Sequence, residues 1–96
     1  MEVNGKIKFI GEIEEFGNFK KRELWLITDE TYPQTLNIEF VQDKVHILNQ
    51  YAVGDDVVIG LNLRGKVANT KAGERCFNSI QGWRISKVEE GDNPFV

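Results

Sequence analysis

Two short stretches of the chain set cations beside aromatic rings. The first is Phe19-Lys20-Lys21-Arg22, followed by Trp25. The second runs from Arg64 and Lys66 through Lys71 to Arg75 and Phe77. Cationic side chains neutralise phosphates, and an exposed ring offers a face on which a base stacks, worth about 1–3 kcal/mol per base. Together they point to single-stranded nucleic acid as the ligand chemistry. Lys20, Lys21, Arg22, Arg64, Lys66, Lys71 and Arg75 are then the phosphate partners, and Trp25 and Phe77 the stacking platforms. Each has a plainer alternative. Trp25 also suits a subunit contact, Phe77 a core position, and Lys20 to Arg22 a charged strand edge that discourages sheet pairing.

Catalytic chemistry finds no footing. A chain of 96 residues with one histidine, His46, and one cysteine, Cys76, offers no Ser/His/Asp or Cys/His arrangement. Those two residues cannot build a zinc site, and a lone cysteine forms no intramolecular disulfide. His46 in VHILNQY reads as a helix-surface residue. The stretch RGKVANTKAGE lacks the Gly-Lys-Ser/Thr ending of a phosphate-binding loop. The expectation is a protein that is not an enzyme, with no metal and no cofactor. No run approaches the ~20 apolar residues of a membrane span, and MEVNGKIKF has no apolar signal core, so the expected location is the cytoplasm.

The charge balance initially opposes a polyanionic ligand. Twelve basic residues against fifteen acidic ones give a net charge of −3. The charge is segregated, however. Residues 17–22 carry three cations and no acid, while residues 60–88 carry six cations and one acid. Net charge hides such patches.

The elements that position these residues follow a period of two. Val3, Gly5, Ile7, Phe9, Gly11 and Ile13 share one parity in the first strand. A turn at Gly17-Asn18 leads to a second strand with Leu24 and Leu26 inward and Lys21, Glu23, Trp25 and Ile27 outward. After the break at Thr28 to Pro33, a third strand points Leu36, Ile38 and Phe40 inward and Asn37 and Glu39 outward. There Glu39 would repel phosphate from the proposed face. Gln42 to Gln50 is the one helical candidate, with Val45 and Leu48 as an apolar i, i+3 pair. Val57, Ile59, Leu61, Leu63 and Val67 alternate along a fourth strand. A hairpin loop at Asn69 to Glu74 leads to a fifth strand, Arg75 to Val88, broken at Gly82, with Trp83 beyond it expected in the core.

Three strands, a helix and two strands match a five-stranded OB-fold barrel, an all-β architecture with one short helix between strands three and four. Such barrels bind oligonucleotides across strands two and three, with the one–two and four–five loops. Both basic stretches fall there. The chain divides into a domain over residues 1–88 and an acidic tail, residues 89–96, too polar and turn-rich to pack.

That tail, Glu89-Glu90-Gly91-Asp92-Asn93-Pro94-Phe95, resembles the acidic tip of bacterial single-stranded DNA-binding proteins, which ends in aspartates followed by X-Pro-Phe. In that family the tip recruits replication and repair enzymes. The resemblance implies the same for Asp92, Pro94 and Phe95, although Val96 follows where the family ends on phenylalanine. The body is similar to small bacterial proteins, common in Bacteroidetes, of single-strand-binding OB type. The matching stretches include Gly5-Lys6-Ile7, Phe19 to Glu23, Thr28 to Pro33, Asp43-Lys44, Val53 to Val57 and Trp83-Arg84-Ile85. The expected function is sequence-nonspecific binding of single-stranded DNA in replication, recombination or repair, by a homodimer or homotetramer. RNA remains an equal match to the residue chemistry. The rival is an OB-fold assembly module in which Trp25 and Ile27 form a dimer contact and no nucleic acid binds.

Overall fold

The computed structural model describes residues 1–88; the expected tail, with Asp92, Pro94 and Phe95, lies outside the described residues. Six strands are formed: β1 Glu2–Ile10, β2 Glu14–Phe16, β3 Phe19–Thr28, β4 Thr35–Val41, β5 Asp56–Thr70 and β6 Gly73–Lys87. Five of them close into a ring. β1 pairs with both β3 and β5, β5 with β6, and β3 with β4, all antiparallel, and a parallel β4–β6 pairing completes the circuit. β2 is an addition to the expected five, a short strand that pairs only with β3 across the Gly17-Asn18 turn. Among the described residues one helix is formed, Gln42–Gln50, between β4 and β5. The architecture is the five-stranded OB barrel.

The core is the inward parity of every barrel strand. Ile7, Leu24, Leu26, Ile38, Phe40, Val57, Ile59, Leu61 and Ile85 interdigitate inside the ring, and Leu48 of the helix plugs one end. The helix, Gln42–Gln50, is wound as 3-10 rather than α. In that winding residues i and i+3 eclipse, so Val45 and Leu48 fall on one edge, and both are buried. Weak α-formers at Asp43, Val45, Ile47 and Asn49 leave little to favour the wider coil. Gln42 enters it abruptly, at φ 55° directly after extended Val41.

Two irregularities re-aim side chains. The β1–β3 register shifts between Ile7 and Phe9. Phe9 therefore leaves the parity of Val3, Gly5 and Ile7, and faces outward instead of into the core. A second shift between Gly60 and Leu61 makes Trp83 the extra residue on β6. Next to it, Gly82 must stay bare, because a Cβ there would lie within 3.0 Å of three atoms of the Phe40 ring. The expected break at Gly82 is a bulge of this kind, which bends the strand so that the ring can close.

Beyond the barrel, β5 and β6 continue as a two-stranded arm. Alternation persists, but burial ends sharply: Leu61 is 4% exposed and Leu63, the next residue of the same parity, 66%. Val67 follows at 60%. Leu63 and Val67 keep the alternation of the strand but lie outside the core, since no facing sheet reaches that far. The arm helps stretch the molecule to 59 Å against 32 and 19 Å in the other directions. Among the described residues no helix is long and apolar enough to cross a membrane.

Candidate nucleic-acid interface

Trp25 projects from the outward face of β3, as alternation with buried Leu24 and Leu26 requires. The β1 bulge brings Phe9 directly opposite it. The two ring centroids are 4.7 Å apart with planes inclined at 44°, a tilted aromatic pair. Trp25 is thereby braced along one side and stays 37% exposed on the other. Sequence reasoning missed Phe9, and no residue type near Lys8 signals the bulge that turns it out.

From Trp25 the outward surface runs across β4 to the arm. Asn37 lies opposite Trp25, and Glu39 neighbours Gln81 of β6. Asn37, Glu39 and Ser79 line a shallow groove, and Arg64, Lys66, Phe77 and Ser79 line the next one. Cross-strand register explains the second grouping. Arg64 pairs with Ser79, Lys66 with Phe77 and Ala68 with Arg75, so these side chains occupy one face of the ribbon. The Arg75 guanidinium lies 5.7 Å from the Phe77 ring centroid, in cation–π range, with Phe77 half exposed. Lys71 stands at the tip, in the turn between Thr70 and Gly73. The arm's one acid, Glu74, pairs with Asn69 on the opposite, apolar face with Leu63 and Val67. Among the described residues no carboxylate forms an ion pair with Arg64, Lys66, Lys71 or Arg75. The second basic stretch is therefore an uncompensated cationic face with a ring in it.

The first basic stretch is different in kind. Arg22 has inward parity with Leu24, and its guanidinium is spent on the fold. Nε donates to the Gly11 carbonyl at 2.8 Å, and Nη1 donates to the Val45 carbonyl at 3.1 Å and to Asn49 Oδ1 at 2.8 Å. It clamps the helix and the end of β1 to β3. Lys21 points outward but pairs with Glu39, Nζ to Oε2 at 3.5 Å. Across β2, Glu14 and Glu15 stand opposite Lys21 and Lys20. The backbone N–H of Lys20 donates to Gln42 Oε1 at 3.3 Å. The expected union of both basic stretches in one groove is not formed. Lys20, Lys21 and Arg22 sit among carboxylates and carbonyls, separate from the arm.

Trp83, expected in the core, is 43% exposed on the β5–β6 side of the barrel. Its indole covers Gly60, where a Cβ would come 2.8 Å from the ring. Arg84, ion-paired with Glu2, lies 5.3 Å from its ring centroid. This second aromatic–cation pair is locally neutralised, unlike Arg75–Phe77. Among the described residues no group of three or more His, Cys, Asp or Glu side chains could hold a metal ion.

Comparison with solved structures finds the same barrel in proteins of distant sequence. The small single-stranded DNA-binding protein of Streptomyces coelicolor superposes with a TM-score of 0.61 at 13% identity, covering 92% of each chain. The second single-stranded DNA-binding protein of Mycobacterium smegmatis gives 0.59 at 12% identity, covering 91% of this chain and 85% of that one. At such identities the likeness establishes the fold alone. No curated protein matches the chain. A family model does, over residues 2–86, nearly the whole described domain. The chain belongs to the family described as Domain of unknown function (DUF3127).

Proposed function

We propose that this protein binds single-stranded DNA without sequence preference. One observation carries the reading: a braced, outward Trp25 and an unpaired cationic arm face bearing Phe77 lie on one continuous sheet surface. Phosphates are taken by Arg64, Lys66, Lys71 and Arg75, and bases stack on Trp25 and Phe77. Lys21 and Arg22 stay outside this path because their charges are already engaged, and Lys20 because it stands opposite Glu15 of β2, away from the arm. None of the four arm cations must break an ion pair within the described domain to meet a phosphate. The barrel shared with two proteins named for single-stranded DNA binding supports the same choice.

On this reading residues 1–88 are the binding domain, and the acidic tail, through Asp92, Pro94 and Phe95, recruits replication, recombination or repair proteins in the cytoplasm. The protein works by binding and not by catalysis. It acts as a homo-oligomer, since one small barrel covers few nucleotides, and exposed Leu63 and Val67 give the arm an apolar face for a second copy. Titrating fluorescent oligo-dT at several salt concentrations tests the central reading. Four phosphate contacts give a slope of log K against log salt near −2.8, at about −0.7 per contact on a single strand. No binding at low salt would sink it and leave the assembly module standing. Oligo-rU in parallel decides between DNA and RNA.

A further inference from the structure

The outward face of β3 and β4 carries a feature that packing does not require. In register, Lys21 stands opposite Val41, Glu23 opposite Glu39, Trp25 opposite Asn37 and Ile27 opposite Thr35. Two carboxylates therefore face each other one step along the strands from the Trp25 platform. Like charges directly opposite on a sheet destabilise it. Glu39 has its ion pair with Lys21, and the Lys21 and Glu39 side chains are only 25% and 23% exposed. Glu23 has no such partner among the described residues. In the other direction the groove lined by Asn37, Glu39 and Ser79 leads into one lined by Arg64, Lys66 and Phe77.

We propose that Glu23 and Glu39 form an acidic bar that ends the DNA path at Trp25. This rests on the single-strand-binding reading above. A phosphodiester backbone leaving Trp25 towards Lys21 would pass directly over both carboxylates. The route to the arm by Asn37 and Ser79 passes only beside Glu39, whose charge Lys21 holds, and meets no carboxylate along Arg64, Lys66 and Phe77. The bar also holds Lys21 in its ion pair, so that this cation is not offered to phosphate. It fixes both the length of strand covered and the direction in which it leaves the tryptophan.

The test is a salt-dependent oligo-dT titration of the full chain, with stoichiometric titration for occluded length and a thermal melt for each variant. Lys21→Gln in the wild-type background leaves affinity and salt slope unchanged. Glu23→Gln/Glu39→Gln binds more tightly, covers a longer stretch, and steepens the slope by about 0.7, the contribution of one additional phosphate contact. Adding Lys21→Gln to that double variant abolishes the gain, a coupling absent from the wild type. The double and triple variants melt at or above the wild-type temperature, since a like-charge pair has been relieved, whereas Lys21→Gln alone leaves both carboxylates uncompensated and melts no higher than wild type. The bar is refuted if Lys21→Gln alone weakens binding and flattens the slope, because the strand then already reaches past Trp25. It is equally refuted if the double variant keeps the wild-type slope and occluded length. Failure of the wild-type chain to bind at low salt refutes the underlying reading, and the bar with it.

Discussion

Replacing Arg22 by alanine separates the two roles its position suggests. A cation beside Lys20 and Lys21 would be read as a phosphate ligand, so its loss would weaken DNA binding and leave the fold intact. Its contacts say the reverse. The guanidinium makes three hydrogen bonds, at 2.8, 3.1 and 2.8 Å, two of them to main-chain carbonyls of Gly11 and Val45. Hydrogen bonds to a charged group contribute about 1.5–3 kcal/mol each when isolated, and an orphaned buried carbonyl costs about 1–3 kcal/mol. The site is half-buried, so water recovers part of this, and the whole clamp is worth roughly 2–4 kcal/mol. A domain of this size loses about 4–8 °C of melting temperature per kcal/mol. Arg22→Ala should therefore melt roughly 8–32 °C lower by far-ultraviolet circular dichroism. Its affinity for oligo-dT, measured well below that transition, should stay within about twofold of wild type. Arg22→Lys sharpens the contrast: it keeps the charge a phosphate needs but not the planar fork that reaches three acceptors, so it too is destabilised. A melting temperature unchanged within about 2 °C, with affinity reduced tenfold in Arg22→Ala and restored in Arg22→Lys, would refute the reasoning.

Neutralising the arm face as Arg64→Gln/Lys66→Gln/Arg75→Gln should lower the magnitude of the salt slope by about 2, with little change in melting, as read by the same titrations. Trp25→Ala should weaken oligo-dT binding by roughly 5- to 150-fold, the equivalent of about 1–3 kcal/mol of stacking. Phe9→Ala should produce a smaller loss, because it removes the brace and not the platform. Gly82→Ala should destabilise by about 1–3 kcal/mol, since the added methyl meets the Phe40 ring and core overpacking costs that much; a denaturant titration measures it. Trp83→Ala, at the barrel end of β6 beside the ion-paired Arg84, should leave DNA affinity unchanged.

The barrel was legible because its alternation is clean where strands are half-buried, and because one apolar i, i+3 pair marks the helix between the strands that flank it. Trp25 was placed outward by its neighbours Leu24 and Leu26. Parity also held the answer for Arg22, two residues before Leu24 and hence inward. A run of three cations obscured it. Phe9 and Trp83 were not legible, because each depends on a bulge, where one extra residue reverses the facing of the side chains beyond it. The point between Leu61 and Leu63 at which burial stops was not legible for another reason. Alternation records that a strand has two unlike faces, not that a second sheet covers one of them, so the point at which the arm leaves the barrel is a tertiary fact. The glycine at position 82 did carry a readable signal, and its reason is the Phe40 ring beneath it.

The central claim is spatial: one strand of DNA lies on Trp25 and along the cationic face of the arm. Amide chemical-shift mapping of the full chain with a short oligo-dT measures this directly. Perturbations are expected at Phe9, Trp25, Asn37, Arg64, Lys66, Phe77 and Ser79, with Arg22, His46 and Trp83 unmoved. Perturbations centred on Lys20 to Arg22, or on the Trp83 side, with the arm silent, would contradict it.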